Sequence, residues 1–261
     1  MRSISLVPIA ATILLLSFWV AKDAIAGGAE QQVCDAGADY SLGLEDYSEA
    51  IRRHIEVVRK HPDSALAHYH LGFALGMVGD RMAEVKEYRR AEALGLRTWD
   101  LFLNLGLAQL ENGDLDAATD SLRRAVLLGE EHSESHFNLA LVNERCGMLA
   151  DAEHEILVSL RLNPGQPDAR NMLGVIYAQE GKIAYASLVW RELVRDVPDY
   201  EPARTNLATL GSQSTVATDE TAAVDPTTPV AAVEAIRDQR ELLLRSREVQ
   251  LNLSSAQDNG R

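Results

Sequence analysis

Two histidines, His132 and His136, have the spacing that places two imidazoles on one face of a helix. Side chains four residues apart on a helix are neighbours, so such a pair can bind one metal ion. The residues between them are Ser, Glu and Ser, whereas a zinc protease has Glu directly after the first histidine. No third ligand is identifiable from the sequence. We therefore expect one surface and one core histidine, and we predict no metal and no cofactor.

Other patterns that carry chemistry are missing from the sequence. The glycines fall singly, and none has the spacing of a phosphate-binding or dinucleotide-binding loop. The Gly-x-Ser-x-Gly pattern of serine hydrolases is also absent. A formal net charge of -14 disfavours nucleic acid as a partner, because phosphate binding needs Lys and Arg. The chain is therefore predicted not to be an enzyme and not to bind nucleic acid.

A repeat of 34 residues organises the middle of the chain. Two columns recur at that interval, one of leucines and one of glycines eight residues later: Leu71, Leu105, Leu139 and Leu173, then Gly79, Gly113, Gly147 and Gly181. A small residue directly follows each leucine, where it would let a second helix approach closely: Gly72, Gly106, Ala140 and Gly174. Each glycine of the second column predicts a left-handed turn that ends a first helix. Each block is therefore predicted to be a helix, a tight turn and a second helix.

The second helices alternate small and large side chains on one face. Four alanines share a column, namely Ala50, Ala118, Ala152 and Ala186. Large residues follow four positions later in their blocks, at Tyr88, Leu122, Ile156 and Trp190. Residues four apart lie on one face of a helix, so this alternation predicts close packing between helices.

The pattern resembles the tetratricopeptide repeat. The block at 167–200 matches the family best, at Leu173, Gly174, Tyr177, Ala186, Trp190 and Pro198. The chain departs from the family pattern at Glu84, where a small residue is expected. It also departs at the opening aromatic position, which is occupied by Cys34, His68, His136 and Arg170. The resemblance implies an all-α fold, a right-handed α-solenoid of about five helix-turn-helix repeats. The predicted solenoid spans residues 31–210, with repeats at 31–64, 65–98, 99–132, 133–166 and 167–200 and an extra helix from 201.

Both ends of the chain lie outside this repeat. Residues 1–26 have the features of a secretory signal: Arg2, a long apolar run, and small residues before Gly27. We expect an exported protein, periplasmic or secreted; the alternative is an uncleaved anchor in the inner membrane, with membrane association through this segment. Residues 211–228 read as a disordered linker, 229–253 as an amphipathic helix and 254–261 as a tail.

The two cysteines, Cys34 and Cys146, are separated by more than three predicted repeats. A disulfide needs Cα atoms within about 7 Å, so the two should not pair within one chain. We expect buried reduced thiols, with an intermolecular bridge as the alternative.

The resemblance also implies where a partner would bind, because first helices line the concave surface in this family. Projected from the register, the partner-binding groove consists of Leu66, Tyr69, Phe73, Met77, Leu103, Leu107, Leu110, Phe137, Leu141, Arg145, Asn171 and Val175. Acidic residues are interspersed at Asp100, Glu111, Glu134, Glu144 and Asp168. Arg145 is the single basic residue of the projected set, which disfavours the family's carboxylate clamp. Apolar anchors among acids suit an amphipathic helix or an extended segment with basic flanks.

These observations predict a protein or peptide partner and a scaffold or adaptor function in the cell envelope, in assembly, secretion or complex formation. One alternative is a periplasmic chaperone-like assembly factor. An alternative from another class is a metal-binding or enzymatic protein that uses the His-bearing repeats. The 229–253 helix could fold back onto the groove through its arginines, and oligomerisation through that helix or Cys34 stays open.

Overall fold

The computed structural model describes residues 36–214, and the regular secondary structure of this part of the chain is entirely α-helical. The predicted signal, Cys34, nearly all of the predicted linker, the 229–253 helix and the tail lie outside the described residues. The helices are α1 (Ala36–Gly43), α2 (Tyr47–Lys60), α3 (Ala65–Met77), α4 (Arg81–Ala93), α5 (Trp99–Glu111), α6 (Leu115–Leu128), α7 (Ser133–Arg145), α8 (Leu149–Leu162), α9 (Pro167–Gln179), α10 (Ile183–Asp196) and α11 (Glu201–Ser214). Among them, none is both long and apolar enough to cross a bilayer.

The helices form two compact units. Unit 1 ends at Glu130 and contains α1 to α6, and unit 2 begins at Glu131 and contains α7 to α11. Within each unit, every helix packs against the next one along the chain. The predicted all-α fold of stacked helix pairs is confirmed.

The turns between paired helices are alike in four repeats, as the glycine column predicts. Gly79, Gly113, Gly147 and Gly181 have φ values of 86°, 83°, 73° and 78°. The following amide donates to a carbonyl five residues earlier, for example Lys182 to Tyr177 at 2.8 Å. This is the Schellman arrangement that ends a helix with a left-handed residue.

The first repeat makes the same turn without glycine. Glu45 lies 34 residues before Gly79 and has a φ of 59°, the single non-glycine residue with positive φ in the described part of the chain. The next amide, that of Asp46, donates to Ser41 O at 3.0 Å, as in the other four turns. Glu45 therefore holds a conformation that costs an L-residue about 1 to 2 kcal/mol.

The small residues of the first helices make room for the large residues of the second helices. A Cβ added at Gly72 would lie 2.7 Å from the Tyr88 ring, and one at Gly174 would lie 2.3 Å from Trp190 Nε1. Real Cβ contacts are never this short, so glycine is what permits the close approach. The indole Nε1 of Trp190 also donates to Asn171 O at 3.2 Å, which fixes the ring against α9.

Three residues that replace the opening aromatic, His68, His136 and Arg170, each have an acidic partner. His68 Nδ1 lies 2.6 Å from Glu87 Oε2, and His136 Nδ1 lies 2.7 Å from Glu155 Oε2. Both histidines are buried, and each acid comes 19 residues later, on the second helix of the same repeat. Arg170 is paired in the same way with Asp196, at 3.0 Å. These pairs replace an aromatic packing contact with a charge-assisted hydrogen bond.

Glu84, which stands where the family has a small residue, is accommodated by its neighbours. The carboxylate is buried against Gly76, where an added Cβ would lie 2.3 Å from Glu84 Oε1. Arg81 donates to Glu84 Oε2 at 3.0 Å. Burial is the main cause that raises the pKa of Glu84 from its usual 4.5 to about 6, against the opposing effect of Arg81.

Cys146 differs from the expectation of a buried thiol. It is exposed at the end of α7, directly before the turn glycine Gly147. The reason is positional, since the residue that ends the first helix lies where the chain turns away from the core.

Candidate functional site

First helices of neighbouring repeats lie side by side within each unit. In unit 1, the hydroxyl of Tyr69 on α3 donates to Asp100 Oδ2 of α5 at 2.8 Å and accepts from Asn104 Nδ2 at 3.0 Å. In unit 2, Asn206 of α11 donates to Asn171 Oδ1 of α9 at 3.0 Å. These bonds connect residues about one repeat apart, so each unit builds a surface from consecutive first helices.

The unit 1 part of the projected groove is mostly accessible. Leu66, Tyr69, Phe73 and Met77 follow one face of α3, and each is half-buried. Leu107 on the neighbouring α5 is half-buried as well. We call these five residues the first-helix strip, an apolar surface shared by two adjacent helices.

Two members of the first-helix strip also have packing roles. Phe73 packs against a small core cluster of Leu42, Ala50 and Ala74. Burial is the main cause that raises the pKa of Tyr69 well above its usual value, followed by the charge of Asp100. The Tyr69 hydroxyl therefore stays protonated and acts as a hydrogen-bond donor between α3 and α5.

Five of the projected groove residues are buried, which corrects the prediction that they line an open surface: Leu103, Leu110, Phe137, Asn171 and Val175. Phe137 is only 2 % exposed and belongs, with Val175, to the main core cluster of unit 2. Asn171 uses its side chain to accept from Asn206. The register fixes the direction of a side chain on its helix, but the neighbouring helices determine how deeply it is covered.

The remaining projected residues of unit 2 are Leu141 and Arg145, both on α7. Leu141 packs at the edge of the unit 2 core cluster. Arg145 is exposed near the end of the helix. Unit 2 therefore offers less accessible apolar surface at these positions than unit 1 does.

The acids near the projected groove are largely engaged in structural contacts. Asp168 accepts from the Tyr200 hydroxyl at 2.6 Å, an arrangement like that of Asp100 with Tyr69. Glu111 forms an ion pair with Arg81, and Glu144 accepts from Gln179. These acids lie on first helices, and their hydrogen-bond and ion-pair partners fix the orientation of their carboxylates.

The two histidines with metal-like spacing are not brought together as ligands. His136 is buried and pairs with Glu155, while His132 lies half-buried in the loop before α7, with Nε2 3.5 Å from Glu131. A different group was missed by sequence reasoning. Asp39, His54 and His70 come from three helices, and their ligand atoms all lie within 4.8 Å of one another.

A family model described as the tetratricopeptide repeat matches residues 85–134 and 103–167. These segments contain the glycine turns and helix pairs of the central repeats. Residues 85–167 are therefore similar to tetratricopeptide repeats, which confirms the predicted resemblance to that family.

Solved tetratricopeptide-repeat structures have the same fold. The crystal structure of YrrB, described as a TPR protein with an unusual peptide-binding site, is 22% identical with a TM-score of 0.61 and covers 65% of this chain and 87% of its own. The crystal structure of MamA is 21% identical with a TM-score of 0.59, covering 62% of this chain and 95% of its own. MamA from Desulfovibrio magneticus RS-1 is 17% identical with a TM-score of 0.58, covering 60% and 89%. No curated protein sequence matches the chain significantly.

Proposed function

We propose that this protein is a non-enzymatic scaffold that binds a polypeptide on the first-helix strip of unit 1. The observation that carries the proposal is the partial exposure of five apolar side chains on two adjacent first helices. Apolar side chains on a repeat protein that stay accessible after folding are suited to a partner chain. The similarity to YrrB, a TPR protein with a peptide-binding site, supports a polypeptide as the ligand.

The chemistry of the strip favours an amphipathic helix or an extended segment with basic flanks. Leu66, Tyr69, Phe73 and Met77 offer contacts at helical spacing, which an apolar face of a partner helix can match. The whole chain carries a net charge of -14, so a basic partner gains from long-range attraction. The dominance of apolar groups on the strip argues against a site built for a terminal carboxylate.

The proposed place of action is the cell envelope. The apolar N-terminal segment, with Arg2 before it and Ala24-Ile25-Ala26 after it, supports export to the periplasm or beyond, with an inner-membrane anchor as the alternative. In that compartment the protein would act as an adaptor during assembly, secretion or complex formation. A chaperone-like assembly factor would use the same strip but hold precursor chains only transiently, so the lifetime of the complex separates the two.

The test uses a matched pair of double variants. Met77→Gln/Leu107→Gln places polar side chains of similar length on the first-helix strip. Met82→Gln/Leu127→Gln makes the same change at two apolar residues outside it, which are 77 % and 73 % exposed. A displayed peptide library is selected against the wild-type chain, and the affinities of the enriched peptides are measured for all three proteins.

The proposal expects enriched peptides with apolar residues at i, i+3, i+4 and i+7 and basic flanks. Their affinity should fall at least ten-fold for the strip variant, about 1.4 kcal/mol, and stay within two-fold for the control variant. Unchanged helical circular dichroism shows that the variants are folded. Equal affinity for wild type and strip variant, or equal losses in both variants, would contradict the proposal.

A further inference from the structure

Three side chains with metal-ligand chemistry converge where α1, α2 and α3 meet in unit 1. Asp39 lies on α1, His54 on α2 and His70 on α3. Asp39 Oδ1 is 2.8 Å from His70 Nδ1 and 3.8 Å from His54 Nε2. The two imidazole rings are in edge contact, with centroids 5.4 Å apart and planes at 68°.

The repeat register shows that this cluster is exceptional for the chain. His54 occupies the column of large apolar residues, Tyr88, Leu122, Ile156 and Trp190. Asp39 occupies another apolar column, Phe73, Leu107, Leu141 and Val175. Two positions that are apolar in every later repeat are therefore polar together in the first repeat, and there they face the same third residue.

The polar side chains at these two otherwise apolar positions lie in a largely buried environment. His54 is 1 % exposed, and Asp39 and His70 are half-buried. Moving a polar side chain out of water costs free energy that an apolar side chain at the same place does not cost. The buried His–Glu pairs of the second and fourth repeats contain one histidine each, whereas this cluster places a second imidazole beside an existing acid–histidine pair.

We propose that Asp39, His54 and His70 bind one divalent first-row transition-metal ion of the zinc class. Two imidazole nitrogens and one carboxylate oxygen are a donor set that such ions accept, with a fourth position left for water. Ligand atoms around a tetrahedral zinc lie about 3.3 Å apart, because each metal–ligand distance is about 2.0 Å. The distances from Asp39 Oδ1, 2.8 Å and 3.8 Å, lie on either side of that value. All three ligand atoms lie within 4.8 Å of one another, so side-chain rotations that draw them together complete the site.

The bound ion would join both helices of the first repeat, α1 and α2, to the first helix of the second repeat, α3. α1 is the shortest helix of the described chain, with eight residues, and it includes Gly37 and Gly43. A metal held by α1, α2 and α3 stabilises their packed arrangement because the unfolded chain does not hold its ligands together. The site thereby fastens the first repeat to the second. This role does not depend on whether the first-helix strip binds a polypeptide.

The repeats themselves supply substitutions that remove each ligand while keeping the packing. Asp39→Leu introduces the residue found at positions 107 and 141, His54→Leu the residue at 122, and His70→Asn the residue at 104 and 138. The matched control is His136→Phe, which introduces the residue found at position 102 and removes a buried histidine from a two-membered pair. Circular dichroism and thermal unfolding of the metal-free proteins establish that each variant is folded.

The experiment titrates Zn²⁺ into the tag-free, chelator-treated full chain by calorimetry and records the unfolding temperature with and without Zn²⁺. We expect one Zn²⁺ per chain in the wild type and in His136→Phe, with a higher unfolding temperature in both. Affinity should fall at least about ten-fold in each ligand variant, because even loss of an outer-shell partner has an effect of this size. Substituted Co²⁺ should give the intense visible absorption of a four-coordinate site in the wild type and not in His54→Leu.

Three results would overturn the proposal. One is the lack of saturable Zn²⁺ binding by the wild type. Another is an affinity of His54→Leu equal to that of the wild type, which would leave His70 and Asp39 as an ordinary ion pair. The third is an equal loss of affinity in His136→Phe, which would mean binding by dispersed histidines.

Discussion

Single residues in this protein can be judged against their equivalents in the other repeats. Position 45 is a clear case, because Glu45 adopts the left-handed conformation that four other repeats give to glycine. This turn position therefore allows glutamate and glycine to be compared in the same backbone conformation.

We predict that Glu45→Gly stabilises unit 1. The variant removes a backbone cost of about 1 to 2 kcal/mol and adds the chain entropy of glycine, about 0.5 to 1 kcal/mol, so a gain of roughly 0.5 to 1 kcal/mol remains. Urea unfolding measures the change. The reverse substitution, Gly113→Glu, should lose a similar amount, since an added Cβ there meets nothing within 4 Å and the backbone alone contributes. A loss of stability in Glu45→Gly would contradict this account.

Glu84 makes stability depend on pH. Its pKa in the folded protein is about 6, above the usual 4.5, so the folded state holds the proton more tightly than the unfolded state. The stabilising contribution of the protonated group is complete below pH 4.5 and is lost as the pH rises through about 6. At neutral pH the loss is at most about 2 kcal/mol.

The substitution Glu84→Gln should remove this pH dependence. Relative to the wild type, the variant is expected to gain stability between pH 4.5 and pH 7, measured by urea unfolding at both values. Glu49→Gln is the control, because hydrogen bonds from Arg52 and Arg53 lower the pKa of Glu49 to about 2 and the sign of its effect is opposite. Parallel pH curves for wild type and Glu84→Gln would refute the assignment.

Sequence reasoning succeeded where one residue type has a unique property. The turn glycines and the close approach at Gly72 and Gly174 follow from the stereochemistry of glycine, which is visible in a sequence. The burial of Phe137 could not be predicted, because Tyr69 has the same register position and stays half-buried. How deeply a side chain is buried depends on the separation of the neighbouring helices, and this separation cannot be read from the residue types at one repeat position.

The Asp39–His54–His70 cluster was missed because its members have no recognisable spacing. A signal existed nevertheless, since both Asp39 and His54 are polar residues in columns that are otherwise apolar. Comparison of each column across repeats would have found these two positions, although their proximity to His70 required the structure.

At the scale of elements, each helix pair depends on a small residue opposite a large one. The most crowded example is Gly174 against Trp190, where an added Cβ would lie 2.3 Å from Nε1. The fourth repeat fills the same two positions with Ala140 and Ile156, both fully buried. Small and large residues are thus matched within a repeat.

We predict that Gly174→Ala destabilises unit 2 by about 1 to 3 kcal/mol, because the added methyl group overpacks the contact with Trp190. The same substitution should cost less in a Trp190→Ile background, where the chain would have the combination of the fourth repeat. A double-mutant cycle of unfolding free energies measures this coupling. Additive effects of the two substitutions would show that the two positions do not constrain each other.

At the scale of the whole molecule, stacked helix pairs leave a surface of first helices in each unit. In unit 1 this surface keeps apolar residues accessible, whereas the projected positions of unit 2 are largely core. The central claim is therefore local: a polypeptide partner contacts α3 and α5, and other exposed apolar residues do not contribute. If exposure alone determined binding, Leu127 would contact the partner in preference to Leu107, since Leu127 is 73 % exposed and Leu107 is half-buried.

Site-specific photo-crosslinking in the native cell tests this claim most directly. A photoreactive amino acid is placed at position 107 or at position 127, and ultraviolet light is applied before the chain is purified under denaturing conditions. The account predicts discrete polypeptide adducts from position 107, competed by an excess of a selected peptide, and none from position 127. Adducts from position 127 alone, or equal adducts from both positions, would show that the partner binds elsewhere and would contradict the first-helix strip as the binding surface.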